Sequence, residues 1–183
     1  FEFPKRAITF EIMRDVALPS DKFQDMDKDN VLTSLKISDV DKMFLYNRAV
    51  VRFDYEFPNK IKTYGEFKTE KVNPIGNMVF KPLASKNDYN HIRYTDLTIG
   101  LRYAPDETYL TTKQQRWAIN YSSPILRLQH TKGLKGFLSG QYNYNYTEIE
   151  LTKPFWLPMN FGCIENRILI GVQWNQVPYP LLI

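Results

Sequence analysis

The chain has 183 residues, 15% of them aromatic, with a formal net charge of +4 and a pI near 9.0. No stretch approaches the roughly 18 apolar residues of a transmembrane helix, no run of five like charges marks a nucleic-acid binder, and His91 and His130 are too few for a multi-histidine metal site. The low mean hydropathy of −0.42 still permits a membrane barrel, whose strands hide a polar half in the lumen.

The chain starts at Phe1 and ends on Pro180-Leu-Leu-Ile183, so both ends look cut; a processed product or a fragment is expected, without a visible signal peptide. Ala7 to Met13 predicts a strand with Ile8, Phe10 and Ile12 on one face. A polar excursion follows around residues 19–44. Its Asp21, Asp25, Asp27 and Asp29 imitate a calcium loop, but Asn30 holds the glycine position and Lys36 the terminal glutamate position. A solvated acidic loop is the expected reading. Val31 to Phe44 is expected to be a short helix or irregular.

From Tyr46 the pattern becomes period 2. Val51, Phe53, Tyr55 and Phe57 face one way, and Arg52, Asp54 and Glu56 the other. Pro58-Asn59-Lys60 predicts a tight turn and Ile61 to Glu70 the returning strand. Asn73-Pro74 predicts a second turn before a strand over Ile75 to Leu83, then a loop over Ala84 to His91. Tyr94 to Tyr103 is a strong strand. Its apolar face holds Leu97, Ile99, Leu101 and Tyr103, and its polar face Asp96, Thr98, Gly100 and Arg102.

Ala104 to Thr112 is expected to connect, and Gln115 to Tyr121 and Ile125 to His130 to be strands separated by Ser122-Ser123-Pro124. Thr131 to Gly136 predicts a turn. Phe137 to Leu151 predicts the longest strand, Pro154 to Pro158 a turn, and Phe161 to Trp174 the last strand. About eight strands result, several longer than the five or six residues usual in soluble sheets. The predicted class is all-β: an antiparallel transmembrane β-barrel, as a segment of a larger barrel spanning residues 1–183. Closure would remove exposed edges.

Catalytic motifs are missing: no Gly-x-Gly-x-x-Gly, phosphate-binding Gly-Lys-Ser/Thr, Gly-x-Ser-x-Gly or His-Glu-x-x-His occurs. Cys163 reads as a small strand residue, and a dyad with His130 has no support from spacing. No catalytic, cofactor or metal residue is therefore assigned. Arg93, Arg102, Arg116, Arg127 and Arg167 sit in or beside strands; pairing with Asp96, Glu148, Glu150 or Glu165 is favoured over a solute-selecting wall. The glycosylation patterns at Asn120 and Asn145 fall in strands and carry no weight.

Three stretches carry a resemblance. Ile99-Gly-Leu-Arg-Tyr-Ala-Pro-Asp-Glu107 resembles a Gly-x-Arg-Tyr-Ala-Pro-x-Glu segment. Pro124 through Thr131-Lys-Gly-Leu-Lys-Gly136 resembles the following strand and turn. Gly171-Val-Gln-Trp-Asn-Gln-Val-Pro-Tyr-Pro-Leu-Leu182 resembles a closing Gly-x-Val-Pro-Tyr-Pro-Leu-Leu motif. Together they resemble the C-terminal part of the DUF5686, carboxypeptidase-like regulatory-domain-containing family of Bacteroidetes. The resemblance spans Ala7 to Leu182 loosely and Tyr94 to Leu182 more firmly.

It implies a barrel similar to the Omp85-like surface-antigen barrel, preceded in the family by a periplasmic β-sandwich. It also implies the bacterial outer membrane as location, with lipid, other envelope proteins or the rest of its own barrel as partners and no nucleic acid. No zinc-carboxypeptidase residues are present to carry over. A structural, transport or translocation/assembly role is the leading expectation. The alternatives are a soluble all-β glycan- or protein-binding module using Tyr142, Tyr144 and Trp156, and an outer-membrane hydrolase. In the barrel reading Val51, Phe53, Tyr55, Phe57, Leu97, Ile99, Leu101 and Tyr103 face lipid, and Arg52, Asp54, Glu56, Asp96, Thr98 and Arg102 the lumen.

Overall fold

The computed structural model describes residues 5–17, 42–77, 79–80, 90–112, 116–120 and 122–177. Among these described residues nine strands follow in chain order: β1 (Arg6–Ala17), β2 (Lys42–Glu56), β3 (Ile61–Gly76), β4 (Ile92–Tyr103), β5 (Thr108–Thr111), β6 (Arg116–Ile119), β7 (Ile125–Gly133), β8 (Asn145–Trp156) and β9 (Cys163–Gln173). Seven form one sheet in the order β1-β2-β3-β4-β7-β8-β9, and β5-β6 is a separate hairpin. Every pairing is antiparallel. Among the described residues there is no α-helix, and no helix is long and apolar enough to cross a membrane.

The chain is thus all-β, with strands as long as 15 and 16 residues in β2 and β3. The alternation in β2 and β4 has the expected parity. Pairing carries it across the sheet, since partners in register share a face: Val51, Phe67 and Leu97 align, as do Arg52, Glu66 and Thr98. The tight turn at residues 57–60 forms as expected, closed by the Phe57 amide donating to the Ile61 carbonyl at 2.8 Å. Lys60 takes a positive φ of 66°.

Several boundaries differ from expectation. β3 runs through Asn73-Pro74 to Gly76, and β8 runs through Pro154 to Trp156, where turns were predicted. The reason is the same in both. β4 pairs with β3 only as far as Val72, and β7 with β8 only as far as Thr152. Each proline stands two residues further on, with a neighbouring strand on one side only, where a missing N–H is tolerated. Of the strand expected over Ile75 to Leu83, only Ile75 and Gly76 are strand, as the tail of β3; residues 78 and 81–83 lie outside the described residues.

Phe137–Ser139 is a 3₁₀ turn and β8 starts at Asn145, not at Phe137. Gly136 has φ 86°, and a Cβ on Gly140 would meet the Leu134 carbonyl oxygen at 2.5 Å. Both glycines serve a folded connection that an alternating pattern conceals. Thr131–Gly133 belongs to β7, and Lys42–Phe44 to β2. The rest of the excursion, including the acidic loop and the expected helix, lies outside the described residues.

In the hairpin β5-β6, β6 lies within the strand expected over Gln115 to Tyr121, whereas β5 lies in the expected connection Ala104 to Thr112. Beyond the hairpin, Asn120 and Ser123 exchange two hydrogen bonds, at 2.9 and 3.0 Å, that fix the turn into β7. A buried cluster of Phe44, Val72, Phe80, Ile92, Tyr94 and Tyr144 sits at the end of the sheet where β2 begins.

Candidate functional site

The two faces of the sheet differ in kind. One face carries Ile8, Phe10 and Ile12 of β1, Val51 and Phe53 of β2, Leu97 and Ile99 of β4, Leu126 and Leu128 of β7, Ile149, Leu151 and Phe155 of β8, and Ile164, Ile168, Ile170 and Val172 of β9, all exposed. Ile12 is 90% exposed and Ile99 63%. The opposite face is the more enclosed: Glu56, Glu70, Asp96, Thr98, Thr131, Glu150 and Thr152 are buried there. This inverts a soluble protein, in which large apolar side chains are inside and charges outside.

The apolar belt runs obliquely. Its centre on β1, Phe10, lies in register with Val51 and Phe67. Its centre on β9, Ile168, lies in register with Leu151, Leu126, Tyr103 and Ile61. Phe67 and Ile61 are six positions apart on β3 (67 − 61), and β1 is six strands from β9 in the sheet order. The belt therefore climbs one residue per strand. At about 3.4 Å per residue and about 4.8 Å between strands that is a tilt of roughly 35°.

The enclosed face is laddered with ion pairs. Near the short turns, Arg127 and Arg167 both reach Glu150, at 2.6 and 3.2 Å. Lys62 bridges Glu56 at 3.4 Å and Glu107 at 3.2 Å. Arg102 donates to Glu107, as does the Tyr109 hydroxyl. Glu107 lies in the β4–β5 connection. Burial alone would raise its pKa, but the hydrogen bonds from Arg102 and Tyr109, with the Arg102 and Lys62 charges, hold it down to about 2. Burial and the bond to Glu107 push the Tyr109 hydroxyl the other way, upward.

Further along, Arg52 bonds Asp54 at 3.1 Å and stacks 3.9 Å from the Tyr64 ring, whose hydroxyl donates to Gln129 at 2.7 Å. Arg48 pairs with Glu70 at 2.7 Å. Asp96 is held by Lys68 at 3.3 Å and by the Tyr144 hydroxyl at 2.7 Å. An open cleft of about 530 Å³ follows this ladder past Arg52, Glu56, Lys62, Arg102, Arg127 and Glu150. Three tyrosine rings cover strand glycines on this face, Tyr64 over Gly100, Tyr144 over Gly133 and Tyr146 over Gly171, leaving no room for a Cβ.

The profile of a family of unknown function, the DUF5686 C-terminal domain, matches residues 29–175. The chain belongs to the DUF5686 family. Comparison with curated proteins and with solved structures finds no match. The expected resemblance thus holds at the level of the family.

In this DUF5686 domain the expected arginine pairings are met by Arg127 and Arg167, both with Glu150. Arg102 finds Glu107, a partner sequence reasoning missed because it lies outside the strands. Arg93 falls on the apolar face, in register with Lys71. The Arg116 side chain lies outside the described residues. His130 and Cys163 are not brought together: His130 bonds Thr147 at 2.9 Å and shares the apolar face, while Cys163 pairs with Trp156 at the far end of β9 on the other face.

Tyr144 is buried, and Trp156 lies 12 residues along β8 (156 − 144), about 40 Å at 3.4 Å per residue, so no aromatic platform unites them. Among the described residues no group of His, Cys, Asp or Glu could hold a metal ion. Nothing in the family or the fold points to catalysis.

Proposed function

We propose that this chain is part of the wall of an outer-membrane β-barrel, similar to the Omp85-like surface-antigen barrel of Bacteroidetes, that acts in protein insertion, translocation or transport. The oblique apolar belt is the observation that carries the reading. Its tilt of about 35° matches that of transmembrane barrel strands, about 35–45°. Its enclosed reverse face carries the buried charges, as a lumen wall must. β1 and β9 end the sheet with long edges, and a barrel in lipid satisfies both edges with further strands.

The ladder bears on the type of lumen. Its acids and bases are interleaved and paired, so the wall presents no single-sign field that would sort small ions. That favours handling of polypeptide over a charge-selective pore. Spin labels at Phe53 and Ile99, in reconstituted membranes, test the placement, with Asp54 as the lumenal control. Oxygen accessibility combined with protection from a water-soluble quencher at the first two supports lipid contact. Protection of Phe53 and Ile99 from both reagents overturns it in favour of a packed protein interface.

A further inference from the structure

We propose that Arg14, Lys71 and Arg93 form a binding site for the phosphate of an anionic lipid headgroup at one edge of the apolar belt. The inference rests on the apolar face being the lipid face, as argued above. Arg14, Asn47, Lys71 and Arg93 are successive partners in register on β1, β2, β3 and β4. They span about 14 Å at 4.8 Å per strand. The register places them on the same face as Ile8, Phe53 and Ile99, beyond the end of the apolar row.

The face they share has one sign of charge. Arg6, Arg14, Lys71, Arg93, Lys132 and Lys153 are its strand cations, and no Asp or Glu of the seven strands has that parity. Each strand carboxylate, from Glu11 to Glu165, falls on the enclosed face. Among the described residues, then, no strand carboxylate of this face answers the three cations, in contrast to Arg48, which reaches Glu70 on the other side. At a lipid surface such cations attract an anionic headgroup.

The three also line a concavity. An open groove of about 740 Å³ is lined by Arg14, Asn47, Lys71 and Arg93 together with Ile12 and Leu138, and Arg48 also borders it. Leu138 belongs to the β7–β8 connection, whose Phe137 packs edge-on against Phe67 at 5.7 Å on the apolar face. A headgroup in the groove would meet the cations while its acyl chains run down over Ile12, Phe10 and Ile8. This end of the sheet carries three connections of more than ten residues, 18–41, 77–91 and 134–144, whereas the other carries two short turns, 57–60 and 157–162, and one long connection, 104–124. Long connections mark the extracellular end of such barrels, so the lipid lies in the outer leaflet.

The test uses the whole protein in detergent micelles doped equally with phosphatidylglycerol and phosphatidylcholine, with retained lipid read by mass spectrometry. Each cation is worth about fivefold near a charged surface. The wild type should prefer phosphatidylglycerol, and R14Q/K71Q/R93Q should weaken that preference by up to about 100-fold. R6Q/K153Q, on the same face at the opposite end, should leave it intact. Equal retention by wild type and triple variant overturns the proposal. So does displacement of the lipid by millimolar inorganic phosphate, which would make the site one for free phosphate.

Equal destabilisation of the triple variant with and without lipid would also overturn it, since the cations would then serve an internal contact. Should that variant not fold, the wild type decides: the preference must fall in molar salt, and persistence sinks the idea. A protein that enters vesicles normally yet shows no preference defeats this inference alone. A protein that does not enter vesicles defeats the barrel reading beneath it.

Discussion

Replacing Gly100 with alanine should unseat Tyr64. A Cβ at Gly100 would stand 2.1 Å from Tyr64 Cε1 and 2.2 Å from its Cζ, so the ring must move by more than about 1 Å to restore ordinary contact. That motion breaks the hydroxyl's 2.7 Å bond to Gln129, about 1 kcal/mol. It also disturbs the Arg52 stacking at 3.9 Å, roughly 0.5–1 kcal/mol at a half-exposed site. With about 1 kcal/mol of residual strain the loss is about 2–3 kcal/mol.

The control is Tyr64→Ala, which empties the space. In that background Gly100→Ala should cost nothing, because alanine suits a strand better than glycine. Equilibrium urea unfolding of the whole protein in lipid vesicles, followed by tryptophan fluorescence, gives the cycle. A coupling of about 2 kcal/mol is expected. Additivity within about 0.5 kcal/mol would refute the reasoning, since residues out of contact behave that way.

Ile99→Arg puts a charge on the exposed apolar face and should destabilise the vesicle-inserted protein by about 2–4 kcal/mol; the readout is the same unfolding midpoint, and a neutral outcome argues against lipid at that position. The depressed pKa of Glu107, about 2 against roughly 4.3 for a free glutamate, makes stability fully present above about pH 4.5 and lost as pH falls towards 2. A shift of that size corresponds to about 3 kcal/mol, so Glu107→Gln should be less stable at neutral pH and should flatten the acid limb of the pH–stability curve. Cys163, exposed beside a short turn, should resist a membrane-impermeant maleimide in intact cells and react after the outer membrane is permeabilised; labelling in intact cells would reverse the assigned orientation.

Legibility in the sequence followed the number of neighbours a strand has. β2 and β4 are paired on both sides along most of their length, so one face must be apolar and the other polar at every step, and Val51–Phe57 and Leu97–Tyr103 record this plainly. Pro74 and Pro154 misled because proline signals a stop in isolation; only the sheet reveals that a neighbour has already ended beside each. Glycine misled in the opposite way. Gly100, Gly133 and Gly171 carry no pattern of their own, and their role exists only once a tyrosine ring lies across them. The ladder was half visible: Arg127, Arg167 and Glu150 share one face of adjacent strands, whereas Glu107 reaches Arg102 from a connection. Arg93 shares the odd parity of Leu97 and Ile99 along β4, so its place on the apolar face was legible once the strand is extended back to Ile92.

The order β1-β2-β3-β4-β7-β8-β9 has a kinetic consequence. Each strand of the sheet lies beside its predecessor in the sheet, so every pairing closes a loop no longer than the connection between them. Short closures are entropically mild, and hairpins form in microseconds. The sheet can therefore grow like a zip, one hairpin at a time, with each new strand templated on the last edge. Joining β1 and β9 to whatever completes the wall is a different event, because it brings together segments far apart along the chain. In the barrel proposed above, that seam should be the last to form and the first to open, so unfolding should begin at β1 and β9.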